Sequence, residues 1–140
     1  MVREADISDF LELCEICAED LGYSCEPELI KSRLENIDKN RERVFVATVD
    51  DKAVGFVHIE KYRTLYFSDM ANILGLAIAK EYQKKGYGRA LMRTAEQWAK
   101  EMGINVVRLN SGISRNDAHI FYRMLGYSNE KEQIRFLKYL

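Results

Sequence analysis

The feature that most constrains this chain is an apolar run that passes through a short basic turn into an amphipathic segment. Residues 73–79, Ile-Leu-Gly-Leu-Ala-Ile-Ala, have the length and bulk of a buried strand. After the turn, apolar residues recur at the spacing of one helix face, at Leu91, Ala95, Trp98, Ala99 and Met102. The turn therefore joins a strand to the N-terminus of a helix.

The turn itself, residues 83–89, reads Gln-Lys-Lys-Gly-Tyr-Gly-Arg. A helix N-terminus carries unpaired N–H groups and a partial positive charge, and glycine lets the backbone approach an anion closely. We therefore predict a cradle for a diphosphate. The turn lacks the Gly-x-x-x-x-Gly-Lys-Ser/Thr pattern and the Gly-x-Gly-x-x-Gly dinucleotide fingerprint. The alternative is a glycine-rich helix start without a ligand, in which Lys84 and Lys85 are merely solvated.

Composition narrows the class of protein. The chain has 140 residues, of which 47% are hydrophobic and 31% are charged, which suits one domain over residues 1–140. A net charge of −1 gives no nucleic-acid footprint. No apolar run approaches the ~20 residues that span a bilayer, and the acidic N-terminus does not resemble a signal peptide. We expect a cytoplasmic protein with neither a membrane nor a nucleic-acid partner.

The three cysteines are Cys14, Cys17 and Cys25. A Cys-x-x-Cys pair is compatible with a metal or redox site, but a structural zinc needs four ligands, and neither His58 nor His119 is close in sequence. The first two cysteines also lie on a predicted helix face. We predict buried free thiols and no metal.

Hydrophobic patterns along the rest of the chain predict a strand at residues 2–5, a helix over 6–21 and a second helix starting at Pro27 whose apolar face extends to Ile37. Strands follow at 44–49 and 53–62, then a less regular stretch from 63 to 72. After the central strand and helix come a strand at 104–109, a helix ending at Leu125 and a strand at 134–140. Gly55, inside a strand, indicates a bulge or a close approach. This order predicts a three-layer α/β or α+β domain with a mixed sheet.

Two motifs in this order resemble those of the GNAT superfamily, the acyl-CoA-dependent N-acyltransferases. The first is Gln-x-x-Gly-x-Gly at residues 83–88, and the second is Ser-Arg-Asn-Asp-Ala-His-Ile-Phe-Tyr-Arg-Met-Leu-Gly-Tyr at residues 114–127. The opening residues 2–6 fit as well, so the resemblance covers nearly the whole chain. It implies a GNAT-like three-layer α-β-α domain with a central mixed, splayed sheet, and an N-acetyltransferase that uses acetyl-CoA.

The resemblance also implies binding roles for individual residues. The backbone of the central strand, at Leu76, Ala77 and Ile78, would pair with the pantetheine arm. That strand would splay from the strand at 104–109, and the thioester would lie in the gap. The pyrophosphate would be held, mostly through backbone N–H groups, by Gln83, Lys84, Lys85, Gly86, Tyr87, Gly88 and Arg89.

The second motif implies that Tyr122 is the catalytic tyrosine that points at the coenzyme A sulfur. The family often has an asparagine seven residues before this tyrosine. Here that position is Arg115 and the next residue is Asn116, so we assign a pantetheine contact to Asn116. The alternative for Phe121 and Tyr122 is a pair of core aromatics, which we expect for Phe121.

The general base stays open at this point. Family members often carry a glutamate on the central strand, and the closest position here holds Asn72. The candidates are Asp69, Glu60, His58 or a water on Asn72. His119 is expected to be a surface or packed helix residue.

The sequence indicates only the chemical class of the acceptor amine. The first two helices carry acids that would suit a cationic small molecule, such as a polyamine or an aminoglycoside, or a peptide amine; alternatively, they form a solvated face. These acids are Glu12, Glu15, Glu19, Asp20, Glu26 and Glu28. The resemblance implies direct transfer in a ternary complex. The rival function is a non-catalytic acyl-CoA-binding sensor or interaction module, and homodimer formation is left open.

Overall fold

The computed structural model describes residues 1–129 and 131–140, which divide into two compact units, residues 1–109 and 110–140. The first unit contains β1 (Val2–Glu4), α1 (Phe10–Asp20), α2 (Pro27–Glu35), β2 (Glu42–Val49), β3 (Lys52–Tyr62), β4 (Met70–Ile78), α3 (Tyr87–Glu101) and β5 (Val107–Leu109). The second contains α4 (Asn116–Met124). That residues 1–140 form one domain stays a prediction.

The five strands form one mixed sheet in the order β1-β2-β3-β4-β5. Neighbours are antiparallel except β4 and β5, which are parallel. The parallel pairing joins only Ala71, Asn72 and Ile73 to β5, whereas β4 continues to Ile78. β5 ends at Leu109, opposite Ile73, so β4 continues from there to Ile78 without a described strand partner on that side.

One face of the sheet is covered by α1. Leu13 and Ile16 are three residues apart on the helix, so they share one side of it and pack against Val46, Phe56 and Ala77. Partly buried side chains of α2, Ile30 and Leu34, extend the same cluster. We call this side of the sheet the α1 face.

The opposite face is covered by α3. Its buried side chains recur at three- and four-residue intervals: Leu91, Met92, Ala95, Trp98 and Ala99. Trp98 lines the same cleft as Phe45, whose side chain alternates with that of Val46 on β2. Helices therefore lie on both faces of the sheet within this unit, and the predicted three-layer α/β class is confirmed.

Several predicted boundaries were wrong. β4 begins at Met70, not Ile73, and β2 begins at Glu42, not Val44. The polar residues in these extensions have partners on β3, since Asn72 bonds to Glu60 and Glu42 bonds to His58. β5 is shorter than predicted and begins at Val107. The second helix ends at Glu35, before Ile37.

The predicted strand at residues 134–140 is also wrong. The structure describes these residues without regular structure, and all are exposed. Apolar alternation favours a strand, but a strand exists only where a neighbouring backbone completes its hydrogen bonds.

None of the described helices is long and apolar enough to cross a bilayer. The cytoplasmic location and the open question of a homodimer stay as sequence-based expectations.

The start of the chain is fixed to the first helix by a bidentate ion pair. Arg3 on β1 donates from both terminal nitrogens to Asp9, at 2.8 and 2.9 Å, and Asp9 is 4% exposed. The same carboxylate accepts the backbone N–H of Asp6 at 2.7 Å, which caps the 3₁₀ turn Ile7–Asp9 that leads into α1. The pair thus sets the direction in which α1 leaves the sheet.

We expect Asp9→Asn to lower the free energy of unfolding by about 2–4 kcal/mol, since it leaves Arg3 without its buried counter-charge. Chemical denaturation measures this. Asp51→Asn is the matched control: Asp51 lies 3.9 Å from the Arg3 guanidinium but is almost fully exposed, and should change stability by less than ~0.5 kcal/mol. Equal effects of the two substitutions would contradict the assignment.

Candidate active site

The basic turn begins where β4 ends. A 3₁₀ turn, Lys80–Tyr82, follows Ile78 and Ala79, and the side chain of Gln83 then donates to the carbonyl of Ile78 at 2.9 Å. This bond ties the loop back to the strand. Gln83 thus shapes the loop, and its contact with a pyrophosphate stays a prediction.

Two left-handed residues bring the chain from this loop into α3. Lys84 has φ of 61° and Gly86, the N-cap, has φ of 91°. The N–H of Ala90 makes a 3.1 Å bond to the carbonyl of Gly86, within the first turn. The N–H groups of residues 87–89 precede it and have no carbonyl partner within the helix. These N–H groups are free to donate to an anion, and their binding of a pyrophosphate stays a prediction.

The charge at this helix start is not neutralised by neighbouring acids. Lys84, Lys85 and Arg89 are exposed, and none forms an ion pair with a carboxylate in the part of the chain that the structure describes. The ammonium of Lys85 lies 5.7 Å from the ring centroid of Tyr82. Three cations and the unpaired N–H groups at the start of α3 therefore lie within the same short stretch of chain.

The predicted pantetheine-binding residues lie on β4 beyond its pairing with β5. Leu76, Ala77 and Ile78 pair with β3 on one side, opposite Val57, Phe56 and Gly55. On the other side, no described strand pairs with β4 after Ile73. This edge can accept an extended amide-bearing chain in the way that a sheet edge accepts an added strand.

The absence of a side chain at Gly55 leaves room for the neighbouring residues of β4. A Cβ there would overlap Ile78 Cδ1 and lie 3.0 Å from the carbonyl oxygen of Ala77. The predicted close approach is confirmed, and the β2–β3 register also shifts beside it, between Ala47 and Thr48.

The end of α1 approaches the basic turn from the α1 face. Burial raises the pKa of the Asp20 carboxyl, and the negative charge of Glu81 raises it further, while Lys80 opposes both. One acid of the predicted acceptor wall is thus next to the cradle.

The base candidates form a connected polar network on the sheet. Asn72, 9% exposed, donates to Glu60 at 3.0 Å and accepts from Arg108 at 2.7 Å. Arg41 bridges the two neighbouring acids, donating to Glu60 at 2.8 Å and to Glu42 at 3.1 Å.

The other two candidates have separate partners. The second oxygen of the Glu42 carboxylate lies 2.7 Å from His58 Nε2. Asp69 accepts from Arg63 at 3.0 Å in the β3–β4 loop. Sequence reasoning missed Glu42, Arg41 and Arg108, because only strand register brings them to the predicted candidates.

In the second unit, Tyr122 lies on α4 and is half-buried. Its ring makes edge contacts with Phe121, at 5.2 Å between centroids, and with Tyr127, at 6.0 Å. Burial raises the pKa of the Tyr122 phenol, and the positive charge of Arg115 lowers it to a smaller extent. Phe121 is only partly buried, so the expectation of a core aromatic there was too strong.

The helix start before Tyr122 is held by His119. Its Nε2 lies 2.9 Å from the carbonyl of Gly112, to which it donates, and this fastens the preceding loop to α4. His119 is therefore a partly exposed helix residue, as expected. Arg115 is the N-cap, and Asn116, the first helical residue, is exposed.

The cysteines are free but half-buried, less buried than predicted. The Cys14 thiol donates to the carbonyl of Cys25 at 3.3 Å. Burial raises the pKa of Cys17 to about 11, so its thiol stays protonated at neutral pH. Among the described residues, no group of three or more potential ligands is arranged to hold a metal.

Comparison with known proteins places this geometry in a family. Residues 8–127 match the profile described as the Acetyltransferase (GNAT) family, and the chain belongs to that family. "Uncharacterized N-acetyltransferase CT2212" of Chlorobaculum tepidum is 33% identical over 94% of this chain and 77% of its own length. The predicted GNAT membership is confirmed, and the chain is an N-acetyltransferase of this class.

Two further relatives extend the match. The "Aminoalkylphosphonate N-acetyltransferase" of Salmonella typhimurium is 26% identical, covering 100% of this chain and 98% of its own. The crystal structure of a transcriptional regulator from Bacillus halodurans C-125 superimposes with a TM-score of 0.87 at 26% identity, over 99% of both chains.

We expect Gly55→Ala to destabilise the fold by about 1–3 kcal/mol, because the added methyl group meets the β4 backbone. It should also weaken acetyl-CoA binding by displacing Ala77 and Ile78. Thermal unfolding and calorimetry measure the two effects. Gly112→Ala is the control: its nearest neighbour is the flexible Arg115 side chain at 3.6 Å, so we expect little change in either. A Gly55→Ala variant with parental stability would contradict this expectation, because it would show that β4 accommodates a methyl group at this position.

Proposed function

We propose that this protein transfers the acetyl group of acetyl-CoA to a primary amine, by direct transfer within a ternary complex. The observation that carries the proposal is the cluster of unneutralised cations at the start of α3, directly after a strand whose edge is open. A diphosphate joined to an extended amide-containing arm matches both features.

In this proposal the protein holds the cofactor through two kinds of contact. The N–H groups of residues 87–89 and the cations Lys84, Lys85 and Arg89 bind the pyrophosphate. The open edge of β4, at residues 76–78, pairs with the pantetheine amides, and Asn116 contributes a further pantetheine contact. Bound acetyl-CoA supplies an activated thioester carbonyl.

The chemistry makes two demands on the protein. An alkylamine with a pKa near ~10.4 must lose a proton to attack, which at pH 7 costs ~3.4 pKa units or ~4.6 kcal/mol. Negative charge then develops on the departing sulfur. A base and a hydrogen-bond donor therefore each contribute to the rate.

We assign the donor role to Tyr122. A phenol near pKa ~10 is already a weaker acid than a thiol near ~8.5, so full proton transfer is uphill by ~1.5 units, about 2 kcal/mol. Burial raises the pKa of Tyr122 and widens that gap. A hydrogen bond that strengthens as charge grows on sulfur needs no complete transfer, and this favours Tyr122 as a donor over a strong acid.

For the acceptor we propose a cationic small molecule or a peptide amine. The support is the acidic end of α1, where Asp20 lies next to the cradle loop. A relative bears the name aminoalkylphosphonate N-acetyltransferase, so the test panel includes 2-aminoethylphosphonate beside spermidine, kanamycin and a lysine peptide. Thiol release measured across this panel identifies the acceptor class.

A non-catalytic acyl-CoA sensor is the second candidate, because Asn72 stands on β4 where a carboxylate base is common in the family. Asn72 is fully engaged with Glu60 and Arg108. Acetyl-CoA binding without thiol release for any amine of the panel would favour the sensor. Absence of acetyl-CoA binding would contradict both functions.

We expect Gly88→Asp to weaken acetyl-CoA binding at least ten-fold, about 1.4 kcal/mol, because it places a carboxylate against the pyrophosphate. An aspartate in the first helical turn interacts favourably with the helix dipole, so the stability of the fold should not decrease. Calorimetry measures the affinity.

Gln97→Glu is the control for Gly88→Asp, because it adds one negative charge to an exposed position of the same helix, away from the cradle. It should bind acetyl-CoA like the parent. Unchanged affinity in Gly88→Asp, or a preference of the parent for NADH or ATP over coenzyme A, would refute the cradle.

We expect Tyr122→Phe to lower kcat ten-fold or more while acetyl-CoA affinity stays nearly intact, since only the hydroxyl that meets the leaving sulfur is lost. Tyr127→Phe is the matched control in the same aromatic cluster and should change kcat little. If Tyr122→Phe turns over like the parent, Tyr122 serves only packing.

A further inference from the structure

The proposed function leaves open which group removes the proton from the acceptor amine, and the hydrogen bonds of the candidates distinguish them. Glu60 is committed on both oxygens: Oε1 accepts from Arg41 at 2.8 Å and Oε2 from Asn72 at 3.0 Å. Asp69 is held by Arg63 in the β3–β4 loop. Protonation of either carboxylate would weaken a charged hydrogen bond to an arginine.

His58 differs because, in the described part of the chain, only its Nε2 has a hydrogen-bond partner. Nε2 lies 2.7 Å from Oε1 of Glu42, whose other oxygen accepts from Arg41. An ionised carboxylate can only accept, so Nε2 must carry the hydrogen in this bond. In the neutral ring, Nδ1 then has a free lone pair. The pairing is the arrangement in which a carboxylate orients an imidazole that acts as a base.

The position of His58 on the sheet matches this role. It pairs with Gly75 on β4, across the register shift that separates it from the Ile59–Ile73 pair. Ile73 is the last β4 residue joined to β5, so His58 lies level with the point beyond which no described strand pairs with that side of β4. Its side chain is 31% exposed, and Gly75 leaves the neighbouring position without a side chain.

The charged groups that hydrogen bonds place near His58 lie on the same face of the sheet. His58 shares the α1 face with Phe56 by strand alternation, and Glu42 and Glu60 lie on that face, bridged by Arg41. Arg108 adds a second guanidinium through Asn72, which donates to Glu60. The side chains that pack onto this face from the first two helices are Leu13, Ile16, Cys17, Leu21, Ile30 and Leu34. The Cys17 thiol is protonated at neutral pH and adds no charge.

We propose that His58 is the general base of the acetyl transfer and that Glu42 is its positioning residue. This rests on the proposed function. Nδ1 of His58 accepts one proton from the ammonium group of the acceptor, directly or through one water, and this leaves a neutral amine with a lone pair. The amine nitrogen then attacks the thioester carbonyl carbon, and the C–S bond breaks as the C–N bond is established. The second nitrogen proton ends on the departing thiolate, and the imidazolium returns its proton to solvent. The sum is an amide, a free thiol and one released proton.

The tautomer is testable without turnover. The chain has two histidines, so nitrogen-15 NMR of the parent and of His119→Gln assigns both rings. We expect His58 in the Nε2–H form above its titration, and Glu42→Gln to abolish that preference. A predominant Nδ1–H form in the parent would overturn the proposal, because the free nitrogen would then be the one facing Glu42.

Kinetics test the role itself, with the fastest amine of the panel. His58→Gln should lower kcat/KM by at least 100-fold and remove the acidic limb of its pH profile, on which the parent rate rises as the imidazole deprotonates. His119→Gln, the matched control, should keep the parental rate and limb. Added imidazole should partly restore His58→Gly.

Glu42→Gln should keep the limb but lower kcat/KM, because the carboxylate that holds His58 in the Nε2–H form is gone. Loss of less than ten-fold in His58→Gln with the limb retained, or loss of the limb in Glu60→Gln or Asp69→Asn instead, would overturn the proposal. A parent that binds acetyl-CoA but acetylates no amine contradicts the proposed function, and this outcome is separate from the tautomer result.

Discussion

The pairing of β4 with β5 over only three residues is the constraint on which the rest of this structure depends. Up to Ile73 the two strands share hydrogen bonds, and beyond it β4 continues alone to Ile78. The unpaired stretch gives an edge for an extended ligand, and the strand ends where the basic turn begins. The open edge of β4 and the basic turn are therefore consecutive in sequence, and one segment of chain carries both the proposed pantetheine contacts and the proposed pyrophosphate contacts.

A second constraint lies at Asn72, one residue before the end of the pairing between β4 and β5. A buried amide such as that of Asn72 is costly unless its donor and acceptor are used, and Glu60 and Arg108 use them from the two neighbouring strands. Satisfying Asn72 commits Glu60, and Arg41 links Glu60 to Glu42. The network occupies both oxygens of Glu60 while it holds Glu42 against His58, and the base that we propose on β3 depends on this arrangement.

The sequence predicted local features well. The strand–turn–helix over residues 73–102 was found because period, glycine placement and charge are all encoded within one stretch. The partners of His58 and Asn72 were not found, because Glu42, Arg41 and Arg108 meet them only through register between strands that are far apart in the chain. The error at residues 134–140 has the same origin: a strand pattern was visible, but the partner backbone it needs is not encoded locally. The roles of Tyr122 and Asn116 came from resemblance and stay predictions.

The two groups that we assign to proton chemistry stand in different surroundings. Burial raises the pKa of the Tyr122 phenol, which suits a donor to developing negative charge. His58 is partly exposed and paired with a carboxylate, which suits a group that must gain a positive charge and then return its proton to solvent. A base in an apolar pocket would resist becoming charged, and an exposed phenol would lose much of its hydrogen-bond strength to water. The assignment of Tyr122 as donor and His58 as base thus follows from the surroundings of each side chain. It requires none of the three cysteines, Cys14, Cys17 and Cys25.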